Sequence, residues 1–467
     1  MTYERLTAAD AAFLHLESDR EPQHVGSLSV LEGEALRDEA GAIRFDEIVS
    51  HVEARLDRVP RLRQKVMDVP LSQGRPIWVD DDRFDIEHHV RLTSLPRPGD
   101  DHQLATLMGR LQSLPLDRSR PLWEMWIVDG LAGDDVGMII KTHHALGDGI
   151  ANVDMAIALV DTEPVPLDAR GPADEWTPRP APDRGRLLAD SVVEQIRRPG
   201  DVAKAALDAV RDPAPVLDAA RNMGRAVGVF TTKADPAPWN QAVSAHRRWT
   251  HADIPMSMVA DIRAERDVTL NDVVLAACSG ALRAFLRDRA IDVDDPERRL
   301  SAMVPVSRRG EDQHGDTLGN LVSVVVVDLP VAEPDPAVRL EIVHERCVEA
   351  KNSGMVDGAE LMVNLADGIP TLAPALTRLL ARQIPMNLVI TNVPGPPVPL
   401  YLGRARVRRS YPYVEVIDNE ALTIAVVSYD GQLFFGVTGD RDLLPDLDLV
   451  SSGIEKEFQA LTDAVVR

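Results

Sequence analysis

Cysteine is nearly absent from this chain. Of its 467 residues only Cys278 and Cys347 are cysteines, each inside a helix-like apolar pattern. Neither a disulfide framework nor a thiolate metal site is expected, and such usage suits a reducing cytoplasm. Positive charge is also short: 51 Lys and Arg stand against 74 Asp and Glu, for a formal net charge of −23. A field of that sign repels nucleic-acid phosphates and argues against polybasic docking on an anionic membrane. The first residues, Met1-Thr2-Tyr3-Glu4-Arg5-Leu6, have no basic region followed by an apolar core, and no later run reaches transmembrane length. Any contact with a membrane or lipid droplet is therefore expected to be peripheral.

What is present is an ordinary globular composition, 45% hydrophobic and 27% charged, which sets disorder aside. The length is natural for two domains, each burying its own core. Ala11 to Leu16 is a short amphipathic stretch, Val25 to Leu31 alternates like a strand, and Phe45 to Leu62 has helical periodicity. Leu104 to Leu111 reads as a helix. Trp123 to Val128 and Val136 to Thr142 read as an antiparallel pair of strands across the turn-rich Asp129 to Asp135.

Prolines recur from Glu163 to Arg184, which reads as a linker, and helical patterns follow at Leu187 to Ile196, Val202 to Val210 and Val216 to Val229. Beyond them Leu270 to Leu286 is a strong helix candidate, with Val274, Ala277, Ala281 and Phe285 on one face. Leu300 to Val306, Leu321 to Leu329 and Met386 to Thr391 are strand-like. Ala421 to Tyr429 and Gln432 to Val437 flank Asp430-Gly431, the strongest hairpin signal in the chain. The expected fold is α/β, in two halves of similar plan without a residue-level repeat: 1–162, a linker with crossover helices at 163–245, and 246–467.

The run His143-His144-Ala145-Leu146-Gly147-Asp148-Gly149 closes the second strand of the pair. A neutral imidazole can take the proton of an alcohol as it attacks an activated acyl group. Side chains alternate along a strand, so the two histidines cannot share one role. One enters a cavity and the other packs inside, and residue pattern alone does not say which. After the turn, Ile150, Val153, Ile157 and Val160 recur at helical spacing, so Asp148 sits where a helix begins, either as its cap or as an ion-pair partner. His88-His89 lacks the downstream Asp-Gly and serves as an internal control. Adjacent histidines on a strand diverge and no other ligands cluster nearby, which disfavours a metal hydrolase.

Several separated matches occur in order: Phe13-Leu14-His15-Leu16-Glu17, Pro121-Leu122-Trp123-Glu124, the His143 to Gly149 run, Asn271-Asp272, and Asn392-Val393-Pro394-Gly395-Pro396. Together they make the chain resemble, over nearly its whole length, the bacterial wax ester synthase/acyl-CoA:diacylglycerol acyltransferases. The resemblance implies two chloramphenicol-acetyltransferase-like domains with mixed sheets enclosing a tunnel, which acyl-CoA and a hydroxyl lipid enter from opposite faces. It implies that His144 is the general base, that His143 supports the loop and that Asp148 is structural. Acyl-CoA is then a co-substrate and no cofactor is permanently bound. One departure is that Ala8 stands where the family usually has a proline, five residues before Phe13, so a role for Glu17 transfers less directly.

Asn271 and Asp272 open a helix and read as caps; the resemblance adds a supporting role at the site, with Asn271 a candidate oxyanion donor. Asn392 to Pro396 is a rigid loop that fixes domain pairing, and Gly149 permits close backbone approach. Arg404, Arg406 and Arg408 recur at period two, which puts three guanidinium groups on one strand face, able to meet coenzyme A phosphates or simply solvated. The alternatives are an acyltransferase of the same fold acting on another hydroxyl acceptor, and a non-catalytic lipid-droplet protein. The intact histidines, Asp148 and Gly149 count against the latter.

Overall fold

The computed structural model describes residues 3–147, 149–168, 176–193, 234–307, 322–352 and 386–466. Asp148 and the helical patterns expected at Val202 to Val210 and Val216 to Val229 lie outside them. Two six-stranded mixed sheets organise the rest. In the first the order is β12 (Tyr401–Leu402), β13 (Ala405–Val414), β2 (His24–Leu31), β7 (Val136–His143), β6 (Trp123–Asp129) and β5 (Val90–Ser94). In the second it is β10 (Val322–Leu329), β9 (Leu300–Ser307), β11 (Leu388–Pro394), β14 (Leu422–Tyr429), β15 (Gln432–Asp440) and β8 (Arg247–Pro255). A small third sheet joins β1 (Glu4–Arg5), β4 (Ile77–Asp80) and β3 (Gln64–Met67).

The antiparallel pairing of β6 with β7 is as the sequence leads one to expect, with Trp123 opposite Thr142. So is the β14–β15 hairpin, whose turn residues Asp430 and Gly431 both take positive φ, 44° and 79°. That is the requirement of the tightest two-residue turns. The topology adds something local patterns do not carry. β12 and β13 belong to the last third of the chain, yet β13 pairs antiparallel with β2 and completes the first sheet.

Helices cover the sheets: α1 (Ala8–Leu16), α2 (Phe45–Glu53), α3 (Asp101–Gln112), α4 (Gly149–Ala158), α5 (Met256–Glu265), α6 (Leu270–Asp288), α7 (Pro336–Asn352) and α8 (Asp448–Val465). The helical pattern at Phe45 to Leu62 is broken after Glu53, and single 3-10 turns at Leu56–Arg58 and Pro60–Arg63 follow. Pro60 keeps a regular helix from running through the end of this stretch. It forces Val59 out of the helical region, to φ −134° and ψ 74°, and supplies no N–H.

The longest helix among the described residues, α6, is buried along most of its length, with Val274, Ala277, Ala281 and Phe285 all in the second core. Among the described residues no single helix is long and apolar enough to cross a membrane. Both cysteines are free and buried.

Candidate functional site

Strand β7 ends at His143, and a 3-10 turn over His144–Leu146 leads on to α4. His143 is fully buried. Its Nδ1 accepts the Ala145 N–H at 3.0 Å, so in the neutral ring the proton sits on Nε2, which faces Glu17 Oε1 at 3.4 Å. Burial pulls the His143 pKa down and outweighs the opposing pull of Glu17. His143 is thus a neutral ring committed to holding the turn. His144 is only partly buried, and its ring lies flat on Phe13, with centroids 3.8 Å apart and planes 9° from parallel.

α1 supplies both supports. Thr7 caps it in a reciprocal capping box with Asp10, and at its other end the Glu17 N–H donates to the Phe13 carbonyl. Phe13 and Glu17, one turn apart, therefore lie beneath His144 and His143 respectively. Arg118 fixes Glu17 from the outside: its Nε donates to Glu17 Oε2 at 2.7 Å and its Nη2 donates to the Leu14 carbonyl at 2.8 Å. Burial raises the Glu17 pKa, but His143 and then Arg118 outweigh it, so the net shift is downward and the carboxylate stays ionised.

Two polar residues tie the turn and the end of β7 down further. Asn152 on α4 donates from Nδ2 to the Gly147 carbonyl at 2.7 Å, and its Oδ1 accepts the Thr142 hydroxyl. Lys141 is buried and donates from Nζ to the carbonyls of Leu111, at 3.0 Å, and Leu114, at the end of α3. Burial lowers its pKa to about 8. His24 pairs in register with His143 and is driven well below the ordinary histidine value by burial first, then by the charge of Lys141.

Gly149 shows how the two halves meet. A Cβ there would lie 2.9 Å from Val393 Cγ2, so only glycine lets the Asn392 to Pro396 segment pass at this distance. Asn392 itself sits on β11 opposite Val426, with its Oδ1 buried and without a hydrogen-bond partner among the described residues.

Asp272 lies elsewhere, in the second core. It is N3 of a capping box with Thr269, its Oδ2 accepting the Thr269 N–H at 2.8 Å and meeting His344 Nδ1 at 2.9 Å. Asn271, beside it, is partly exposed. Arg404 occupies the turn between β12 and β13 rather than a strand, while Arg406 and Arg408 alternate on the outer face of β13. Arg406 already pairs with Asp430 at 2.7 Å, and Arg408 with Asp135 at 3.1 Å and Glu32 at 3.3 Å.

Residues that the sequence did not single out are Arg118, Asn152, His24 and Glu415. Of these only Asn152, three residues past the Asp-Gly, had a local signal. The others arrive from distant segments.

Comparison with known proteins identifies the family. Residues 6–274 match the wax ester synthase/diacylglycerol acyltransferase catalytic domain, and residues 318–462 match the C-terminal domain of the same family. A Mycobacterium tuberculosis protein named as a probable diacylglycerol O-acyltransferase is 33% identical, with 98% of each chain covered. The solved wax ester synthase/diacylglycerol acyltransferase of Marinobacter aquaeolei superposes with a TM-score of 0.69 at 26% identity, again over 98% of each chain. The starter condensation domain of rhizomide synthetase, solved in complex with C8-CoA, shares the fold at 14% identity and a TM-score of 0.59, over 100% of this chain and 95% of that one. Two domain models that between them span most of the chain, and a relative 33% identical along nearly its whole length, place the chain in the wax ester synthase/diacylglycerol acyltransferase family.

Proposed function

We propose that this protein transfers an acyl group from acyl-CoA to the hydroxyl of a diacylglycerol or a long-chain alcohol, with His144 as the general base. The observation that carries this reading is the division of labour between the histidines. His143 is neutral, buried and spent on the Ala145 N–H, whereas His144 is partly open and oriented by Phe13.

In the reaction the His144 ring takes the acceptor's hydroxyl proton as the oxygen bonds to the thioester carbonyl carbon. The tetrahedral intermediate then collapses, the C–S bond breaks, and the imidazolium returns the proton to the departing thiolate. No covalent enzyme intermediate and no resident cofactor enter these steps. Alignment of two substrates in a dry passage between the sheets supplies the rest. We assign the protein to the cytoplasm, meeting its lipid acceptor by peripheral contact at a membrane or lipid droplet.

The family membership of a Marinobacter synthase and a mycobacterial acyltransferase, each matched over nearly its whole length, supports both acceptor classes. The test is thiol release from palmitoyl-CoA with diacylglycerol, a fatty alcohol and small hydroxyl compounds offered separately. Turnover with either lipid supports the proposal. Turnover with small hydroxyl compounds alone moves the acceptor to another class, and none at all favours a binding protein.

A further inference from the structure

His24 opens β2 directly opposite His143, the last residue of β7. Opposed residues of an antiparallel pair put their side chains on the same face, so the two imidazoles share one side of the sheet. Their centroids lie 6.2 Å apart with the ring planes at 74°, and both residues are fully buried. The residue before His24 reaches the base itself, since the Gln23 carbonyl accepts the His144 N–H at 2.8 Å. The start of β2 thus underlies both histidines of the turn.

One carboxylate oxygen faces both rings. Glu17 Oε1 lies 3.4 Å from His143 Nε2 and 3.7 Å from His24 Nε2. Arg118 leaves it alone, because its Nε and Nη2 both go to Oε2. Oε1 is closed off from solvent, and neither it nor the two Nε2 atoms has a full hydrogen bond among the described residues. A buried carboxylate oxygen without a donor is costly, so the two ring nitrogens in front of it are the donors it can use. His143 Nδ1 accepts the Ala145 N–H, which leaves the proton of the neutral ring on Nε2. The oxygen has lone pairs for a second donor, and a neutral His24 with its proton on Nε2 supplies it. No charge on either ring is needed. Both contacts are longer than a full hydrogen bond, as catalytic contacts commonly are before substrate binds.

We propose that His24 is a positioning residue for acyl transfer: its Nε2–H holds Glu17 Oε1 against His143, so that the turn keeps the neighbouring base, His144, in one orientation. It acts through Glu17 and touches neither substrate. The inference rests on the acyl-transfer reading above. Arg118 fixes one oxygen of Glu17 and leaves the carboxylate free to turn about it, whereas a contact from His24 on the other oxygen stops that rotation. His143 then meets an acceptor that stays in place, and its Nδ1 keeps the Ala145 N–H that shapes the turn. A reacting group misplaced by about 1 Å costs roughly 10²-fold in rate, so a support behind the base shows itself in turnover.

The test measures kcat and KM for thiol release from palmitoyl-CoA, with diacylglycerol and with hexadecanol as acceptors, in His24→Leu, His24→Gln and His24→Asn. The leucine variant is expected to lose roughly tenfold in kcat, with KM for donor and acceptor within about twofold of wild type. Glutamine puts an amide nitrogen near the place of Nε2 and should hold kcat within about threefold, whereas asparagine puts one near Nδ1 and should fall with leucine. That pair carries the test where leucine prevents folding. In the background of Glu17→Ala, His24→Leu should lower kcat no further, because it acts through that carboxylate. A histidine that only fills space gives additive losses and no difference between glutamine and asparagine. Unchanged kcat in folded His24→Leu, equal losses in the two amide variants, a loss carried in KM, or additivity with Glu17→Ala overturns the inference alone. Wild-type protein that releases no thiol with either acceptor overturns the acyl-transfer reading and takes this inference with it.

Discussion

Glu17 at the end of α1 and Glu415 just past β13 come to the histidine turn from opposite ends of the chain, and their pKa values move in opposite directions. Burial raises both pKa values at the outset. Glu17 then gains the approach of His143 Nε2, at 3.4 Å, and a two-point contact with Arg118, and its net shift is downward. Glu415 feels His144 and Arg247 only through space and its net shift is upward. Depth alone therefore does not set the charge of a carboxyl. What decides the direction of the shift is whether a cation is aimed at the carboxyl: Arg118 holds Glu17 behind His143, whereas no side chain is aimed at Glu415 Oε2 among the described residues.

The largest expected effect concerns the ring between the two. His144→Ala should lower thiol release by a factor of about 10² to 10⁴, the usual contribution of a positioned base, with an unchanged circular dichroism spectrum. Turnover retained in the folded variant would remove the reason for comparing the two carboxyls.

The contact that brings the two sides together comes next. Gly149→Ala forces Val393 to move and should cost about 1–3 kcal/mol in urea unfolding, together with activity. Val393→Ala in the same chain should recover most of that loss, because the clash is with one methyl group. Independent, additive losses would mean that the two segments do not bear on one another.

The pair itself gives opposite slopes of stability with pH. Glu17 has a folded pKa below its ordinary 4.5, so its stabilising share is complete above that value and disappears as pH falls through the folded one. Wild type should therefore lose its advantage over Glu17→Gln in acid. Glu415 has a folded pKa above 4.5, so it costs stability progressively as pH rises past that value, and Glu415→Gln should become the more stable protein toward alkaline pH. Parallel slopes in urea titrations across pH would cancel the contrast.

The smallest effect is expected on the outer face of β13. Arg406 and Arg408 are exposed and already matched by Asp430, Asp135 and Glu32, so alanine at either position should change KM for acyl-CoA by less than about twofold. A larger rise that fades with salt would restore a phosphate contact to this face.

Much of the fold was legible because its signals are local. The Asp430-Gly431 turn and the β6–β7 pair each need only a few neighbouring residues to be recognised, whereas the start of α6, read as capped by Asn271 and Asp272, has Thr269 as its N-cap with Asp272 as the reciprocal partner. Pro60 was visible too, yet the charged periodicity of Phe45 to Leu62 concealed its effect. The histidine turn was legible as a division between two rings, and the resemblance pointed to His144. The physical supports of those rings were not. Arg118 and Glu415 meet the site through pairings between remote segments, which leave no periodicity in the sequence around either residue. Asp272 shows the converse, since a cap-like residue in a family motif turned out to be engaged with His344 in the second core.

The crossing of β13 into the first sheet also bears on how the protein is made. Ser29 on β2 bonds Ser410 on β13 at 3.3 Å across a sequence separation of 381 residues. Until that strand leaves the ribosome, β2 has an open edge, and an open edge is where other chains add. Closing so long a loop is slow. A fragment ending before residue 401 should therefore aggregate rather than fold, and in the cell the first half has to be shielded until the last third arrives.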